Sequence, residues 1–504
     1  MLINRRSLTA GLALMAAPAI ARAKPRQLPA AAALDAGVTR ALAKFDAVPG
    51  LAVAVYSPEG TYARGFGWAD AEAGKRSDAD TAYYIASSTK SFTALAMASL
   101  HGRGLIDLDG PVSAVAPGAP FPAAALADRA KVRDLLTHSS GMENNPIGFR
   151  VAYSGEHDPA MLWRLLGETR PNAEAPLGKH QYTNDGYNIL TVLTDRRLGI
   201  RWQDLLEREI FRPAGMTRTT AYMSRARQAG TVAQGYVSSL PEGRLRVSLM
   251  KVDATMQSAG GLVMSANDAV RWLELMANDG KVGGRQAVPA EAVRLTRLGA
   301  VDTGEVRADD FGANRYSLGW NIGKYGDDDI FFHYGGFVGF RAHISYIPAR
   351  KLGVAVFAND SSVGGRLGDA VAKYAYGRAV GNPAADSEFD AVVERLAAGV
   401  EPGRQAVRAD RERRAARSWQ LSRARADYAG RYVSAAMGEI EVKAEGEDLL
   451  VSMGQMRSKA EPFTQPDTIR VELVPLSGAV IGFDTAGGAP KALTFMDQRF
   501  ERVG

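Results

Sequence analysis

The chain has 504 residues, 46% of them hydrophobic and 23% charged, enough for two or three domains and typical of a globular protein. Its 61 basic and 55 acidic residues leave a formal net charge of +6, or +3 once Arg5, Arg6 and Arg22 of the amino-terminal segment are set aside. So mild an excess, with no basic stripe interleaved with aromatics, argues against a nucleic-acid partner, and the absence of cysteine excludes thiol catalysis and cysteine-bound metal.

In chain order, residues 1–23 come first. Arg5-Arg6 precedes an apolar run from Leu12 to Ile20, and Ala21-Arg22-Ala23 forms a small-x-small cleavage site. The segment resembles a twin-arginine signal peptide, so a periplasmic location is expected. The run is shorter than the about 20 apolar residues needed to cross a bilayer, so no stable membrane span is expected. A chain without disulfides also fits folding in the cytoplasm before export.

Leu34–Phe45 has the pattern of an amphipathic helix. Leu51–Tyr56 and Thr61–Gly67 then flank Pro58-Glu59-Gly60 as a hairpin. Tyr83-Tyr84-Ile85 reads as a buried strand. The helix after it puts Phe92, Leu95, Ala96, Ser99 and Leu100 on one face, with Ser87 and Ser88 as N-cap candidates. Residues 344–359 read as two strands around a turn, and a last helix is expected at about Gly365–Ala379. Strands on both sides of a helical middle predict an antiparallel sheet with helices packed on it, as one domain over residues 24–382. Residues 383–420, rich in Arg, Glu and Ala, read as a linker or a solvated helix. Residues 421–504 carry short alternating strands broken by glycine and predict a small all-β barrel or sandwich.

Three elements carry chemistry. In Ser87-Ser88-Thr89-Lys90 the serine sits where strand turns into helix, and Lys90 lies one helical turn on, on the same face. A cation is disfavoured at a helix N-terminus, and that field, with burial, lowers the lysine pKa until it can take the Ser87 proton. Read blandly, Ser87 caps the helix and Lys90 reaches solvent. Ser248-Leu249-Met250-Lys251 has the same spacing without the strand-to-helix context. Tyr182-Thr183-Asn184 offers a phenol for acid–base work and an amide for a substrate, or else an ordinary turn with Asp185 and Gly186. His333-Tyr334-Gly335-Gly336 lies between strand-like residues. Its glycines let backbone approach a ligand, and the N–H groups of Gly336 and Ser87 can together form an oxyanion hole, or the string is a simple bulge.

Taken in this order, the three elements resemble the active site of the serine β-lactamase and penicillin-binding-protein superfamily, in its class C-like branch with esterases and D-aminopeptidases. Segments 102–117, 132–142, 209–220 and 258–276 also look like that branch, so the resemblance covers about residues 35–380. It implies an α/β (α+β) fold, with a β-lactamase-like antiparallel sheet, flanking helices and a helical subdomain, followed by a small lipocalin-like barrel. It also implies Ser87 as acylated nucleophile, Lys90 as its activating partner, Tyr182 as second general base, Asn184 as substrate orienter and Ser87 and Gly336 N–H as oxyanion hole. His333, beside Gly335, stands where many members have a lysine that clamps a substrate carboxylate. Being mostly neutral, it puts β-lactamase and carboxypeptidase activity in doubt, and a lysine at 333 is expected to favour β-lactams. The expected substrate is a small ester, amide or short peptide. A D-amino-acid-specific peptidase, a weak β-lactamase or DD-peptidase, and a non-catalytic ligand binder remain as alternatives. No cofactor and no metal are expected; His138 is expected to make a structural hydrogen bond. The oligomeric state stays open. With all three elements upstream of residue 383, residues 1–382 are expected to fold without the barrel.

Overall fold

A computed structural model describes residues 26–45, 47–307 and 311–503; the signal segment 1–23 lies outside them. Helix α1 (Ala31–Lys44) leads into the hairpin β1 (Gly50–Ser57) and β2 (Gly60–Asp70), with β3 (Lys75–Arg76) at the edge. Helix α2 (Thr89–Gly102), helix α3 (Asp185–Leu198) and helix α4 (Ala266–Ala277) belong to the helical middle of the chain. The chain then returns through β4 (Val301–Arg307), β5 (Ala313–Tyr316), β6 (Asn321–Tyr325), β7 (Asp328–Phe337), β8 (Phe340–Ile347) and β9 (Leu352–Ala358), and on to helix α5 (Gly364–Ala379). These strands form one nine-stranded sheet in the order β4-β5-β6-β7-β8-β9-β1-β2-β3, antiparallel throughout.

The strand period of two decides what each face meets. On β1 and β9, Leu51, Val53, Val55, Val354 and Val356 pack against α1 and α5, while Ala52, Ala54, Ala355 and Phe357 join α2 and α4 on the other face. Helix α2 is not amphipathic as its sequence suggested. Every residue from Thr89 to Leu100 is buried, because Phe92, Leu95 and Ala96 face the sheet cluster while Ala94, Met97 and Leu100 face the helical one. The Phe92 ring stacks on Trp272 of α4 with centroids 3.6 Å apart.

Residues 383–420 hold two helices, α6 (Ala385–Ala398) and α7 (Val400–Ala415). In α6, Phe389 and Val393, four residues apart, pack into the α1/α5 core, and Phe389 stacks on Tyr374 at 4.5 Å. A chain cut at 382 would therefore lose part of its first core, which counts against independent folding of residues 1–382. After α7 come β10 (Gly430–Ser434), β11 (Gly438–Glu445), β12 (Asp448–Met453), β13 (Met456–Lys459), β14 (Glu461–Pro462), β15 (Thr468–Val474), β16 (Ser477–Asp484), β17 (Ala492–Phe495) and β18 (Gln498–Val503). Their order, β13-β12-β11-β10-β18-β17-β16-β15-β14, makes a nearly closed barrel around Tyr432, Ile440, Val451, Ile469 and Phe500. The barrel is fastened to the first domain. Phe149 inserts into its core, and the buried Arg150 donates Nε–H to Ala436 O at 2.6 Å and Nη2–H to Ala435 O at 3.3 Å.

Candidate active site

Ser87 lies in a single 3₁₀ turn, Ala86–Ser88, between the short strand Tyr83–Tyr84 and α2. Ala86 takes φ +44°, a left-handed conformation costly for a residue with a Cβ, which turns the chain sharply enough to lift the next side chain clear. Between residues 81 and 100 only Ser87 escapes full burial. Ser88 stands at the N-cap position of α2 but caps nothing: its hydroxyl donates to His333 O at 3.1 Å and ties the turn to β7.

Lys90 is fully buried. Burial lowers its pKa from 10.5 to about 7, and the neighbouring Asp185 offsets this only in part. Its Nζ lies 2.7 Å from Asn184 Oδ1, 2.9 Å from Ala259 O and 3.4 Å from Ser87 Oγ. A neutral amine has two N–H donors and one lone pair. The two carbonyl oxygens can only accept and so take both N–H groups, which leaves the lone pair for the Ser87 hydroxyl proton. Tyr182 is 44% exposed, and its ring centroid is 4.8 Å from Lys90 Nζ.

His333 is buried at the end of β7 that adjoins Tyr182, the two rings 6.0 Å apart. Its Nδ1 is 2.7 Å from Tyr334 O and its Nε2 3.0 Å from Tyr316 Oη. A carbonyl only accepts, so Nδ1 carries the proton, and Nε2 accepts from the Tyr316 hydroxyl. Burial, and next the charge of Lys90, lower the His333 pKa to about 3. Both ring nitrogens are thus engaged by the protein, and the ring is neutral. Gly335 is required by packing: a Cβ there would collide with Ile85 O, just before the Ser87 turn. Beyond Phe332, β7 is no longer paired with β6 and keeps only β8, so Gly336 lies on a free edge. A cavity of about 360 Å³ wraps this edge, with Ser87, Tyr182, His333, Gly335 and Gly336 in its wall.

The fold therefore gathers five of the seven candidate residues in the wall of one cavity; Lys90 joins them beneath Ser87, and Asn184 through Lys90. The second Ser-x-x-Lys does not assemble. Ser248 is exposed, and the buried Lys251 turns to Ala152 O, with the Phe337 ring centroid 4.1 Å away. Three further residues support the site. Tyr316 fixes the His333 tautomer. His138, at φ +59°, accepts the Thr183 N–H on Nδ1 at 3.3 Å, and its carbonyl accepts the Gln181 N–H at 2.8 Å, bracketing Tyr182. The third is Arg341 of β8, in the cavity wall. His138 sits in Leu-Thr-His-Ser-Ser-Gly and could be found there; nothing local marked Tyr316 or Arg341. A larger cavity of about 800 Å³ lies between Arg150, Arg164 and the barrel residues Glu439 and Arg457, away from Ser87. Among the described residues no group of three or more His, Asp or Glu side chains could hold a metal ion. No helix among them is long and apolar enough to cross a membrane.

Comparison with known proteins agrees with the geometry. An unguisins hydrolase of Aspergillus violaceofuscus is 27% identical over 342 residues, covering 62% of this chain and 59% of that protein. A D-aminopeptidase of Gluconobacter oxydans is 26% identical over 341 residues, covering 66% and 59%. The chain thus spans about three fifths of the length of these curated relatives. Among solved structures, the octameric penicillin-binding protein homologue from Pyrococcus abyssi superposes with a TM-score of 0.58 at 22% identity, covering 93% of this chain and 99% of that one. A D-amino acid amidase from Ochrobactrum anthropi gives 0.54 at 19% identity, covering 65% and 92%. The Beta-lactamase family model matches residues 38–376, which holds the whole sheet and every residue of the cavity wall, and the chain belongs to the β-lactamase family of serine hydrolases.

Proposed function

We propose that this protein is an exported hydrolase that cleaves an ester, or an amide or peptide bond, through an acyl-enzyme on Ser87, with Lys90 and Tyr182 as general bases. The observation that carries this reading is the contact between Ser87 and a buried lysine whose lone pair has no other use. Ser87 Oγ attacks the substrate carbonyl carbon while its proton passes to Lys90 Nζ. The N–H groups of Ser87 and Gly336 hold the oxyanion, and Asn184 orients the substrate. When the tetrahedral intermediate collapses, the bond to the leaving group breaks. Tyr182 gives that oxygen or nitrogen a proton and is reprotonated from Lys90. Water then adds to the acyl carbon, its proton returns through the same groups to Ser87 Oγ, and a carboxylic acid leaves.

The names of the relatives, an unguisins hydrolase, a D-aminopeptidase and a D-amino acid amidase, favour an amide or peptide bond, and the last two support a D-specific peptidase as second reading. The neutral, engaged His333 supports only weak β-lactam turnover. A fluorophosphonate probe tests the reading: labelling of the folded protein at Ser87, lost in Ser87→Ala and kept in Ser248→Ala, is expected. Folded wild type that takes no label overturns it and favours a ligand binder. Export rests on the Arg5-Arg6 signal and is tested by replacing both with lysine: precursor should stay in the cytoplasm, and an unchanged periplasmic yield rejects the twin-arginine route.

A further inference from the structure

Arg341 stands directly opposite Gly336 in the β7/β8 pairing, with its stem against Gly365 of α5 and its guanidinium beside the Gly336 backbone. Nη1 donates to Phe337 O at 3.0 Å and to Phe340 O at 2.9 Å, which fixes the group at the tip of the hairpin. Nε and Nη2 have no protein acceptor among the described residues. Neither of the two nearby carboxylates hydrogen-bonds to it, although Asp360, whose Oδ2 meets no donor, lends its charge and partly offsets the burial that lowers the Arg341 pKa. Asp360 Oδ1 accepts the N–H groups of Ser362, Val363 and Gly364, and Asp369 accepts from His343 Nδ1 at 2.8 Å. Arg341 lines both the Ser87 cavity and a second cavity of about 300 Å³ behind β7. Among the described residues of the Ser87 cavity wall it is the one with a permanent charge, and none is acidic.

We propose that Arg341 is the specificity-determining anchor for a carboxylate carried on the acyl portion of the substrate. The inference rests on the acyl-enzyme reading above. Tyr182, which protonates the leaving group, adjoins His333, so the leaving group lies at that end of the β7 edge. The acyl chain then runs past Gly336, where the guanidinium waits with its Nε–Nη2 edge; a carboxylate there gains two charge-assisted hydrogen bonds. A substrate with a free α-ammonium at the same place would face Arg341 and find no acidic partner in the wall. A half-ester or half-amide of a dicarboxylic acid is therefore the favoured substrate class, and an aminoacyl compound the disfavoured one.

The test compares kcat/KM for p-nitrophenyl hydrogen adipate, p-nitrophenyl hexanoate and β-alanyl p-nitroanilide. Wild type should prefer the adipate to the hexanoate by about tenfold or more at low ionic strength. Arg341→Gln should bring that ratio towards one, and Arg341→Lys should keep part of it. A wild-type ratio at or below one, a preference for the aminoacyl compound, or the same ratio in Arg341→Gln overturns the proposal. If Arg341→Gln does not fold, added sodium chloride supplies the answer in wild type: the ratio must fall with salt, and a salt-independent ratio overturns the proposal. Hexanoate turnover that depends on Ser87 separates this failure from failure of the acyl-enzyme reading itself.

Discussion

A lysine buried without a carboxylate at hydrogen-bond distance costs stability, and at Lys90 the same burial holds the amine close to neutral beside the Ser87 hydroxyl. With Lys90 lowered to about 7, kcat/KM should rise with pH through an acid limb near 7 and level off above it. A profile flat from pH 5 to 9 would remove Lys90 as base. Lys251 is likewise lowered to about 7 by burial. For both lysines the folded pKa lies below the unfolded 10.5, so between about pH 7 and 10.5 the unfolded chain binds more protons and stability rises with pH. Each contributes at most about 1.4 kcal/mol per pH unit. Lys251→Met should reduce that slope in urea titrations while Ser87 labelling persists; an unchanged slope would mean that Lys251 ionises as in solvent. Removing the donor that holds His333, with Tyr316→Phe, leaves a buried acceptor unmet and should cost about 1–3 kcal/mol in urea unfolding. The juxtaposition of Ser87, Lys90, Tyr182 and Asn184 was legible because its spacing is local: Ser87 and Lys90 lie three residues apart at the start of one helix, and Tyr182 and Asn184 share one loop. Tyr316 and Arg341 were not, because their partners are brought close only by sheet pairing. The structure also alters the expectation for His333→Lys: the new ammonium would be buried, deprived of the Tyr316 contact and placed near Lys90, instead of facing substrate freely.

Element patterns were readable where one face meets solvent or the chain turns back on itself. The β1/β2 hairpin and α5 were placed within a few residues, since turn residues and helical period are written into the chain. Helix α2 misled because burial all round erases amphipathic contrast, and α6 was read as linker or solvated helix because just three of its residues, Ala385, Phe389 and Val393, are buried. The close approach of β7 to the Ser87 turn depends on Gly335. Gly335→Ala should push the strand away and lower kcat/KM about a hundredfold for every substrate, with the circular dichroism spectrum kept. Activity within a few-fold of wild type would show that the turn and strand can part without harm.

For the whole molecule, the barrel contributes nothing to the described Ser87 cavity wall yet is pinned to the first domain by Phe149 and Arg150. Arg150→Ala leaves the buried Ala436 carbonyl and the partly covered Ala435 and Glu156 carbonyls without their donor and should lower stability by about 1–3 kcal/mol, with earlier proteolysis between the two units. A variant as resistant as wild type would mean that α6 and α7 alone hold the barrel in place.

The single opening at Ser87, in a stretch of twenty otherwise buried residues and in a chain without thiols, also has a use in counting. A reagent that acylates once and leaves slowly releases one chromophore per competent molecule, and misfolded chains stay silent. The amplitude of that first burst measures how many molecules in a sample are properly built, so every rate constant can be referred to working enzyme instead of total protein.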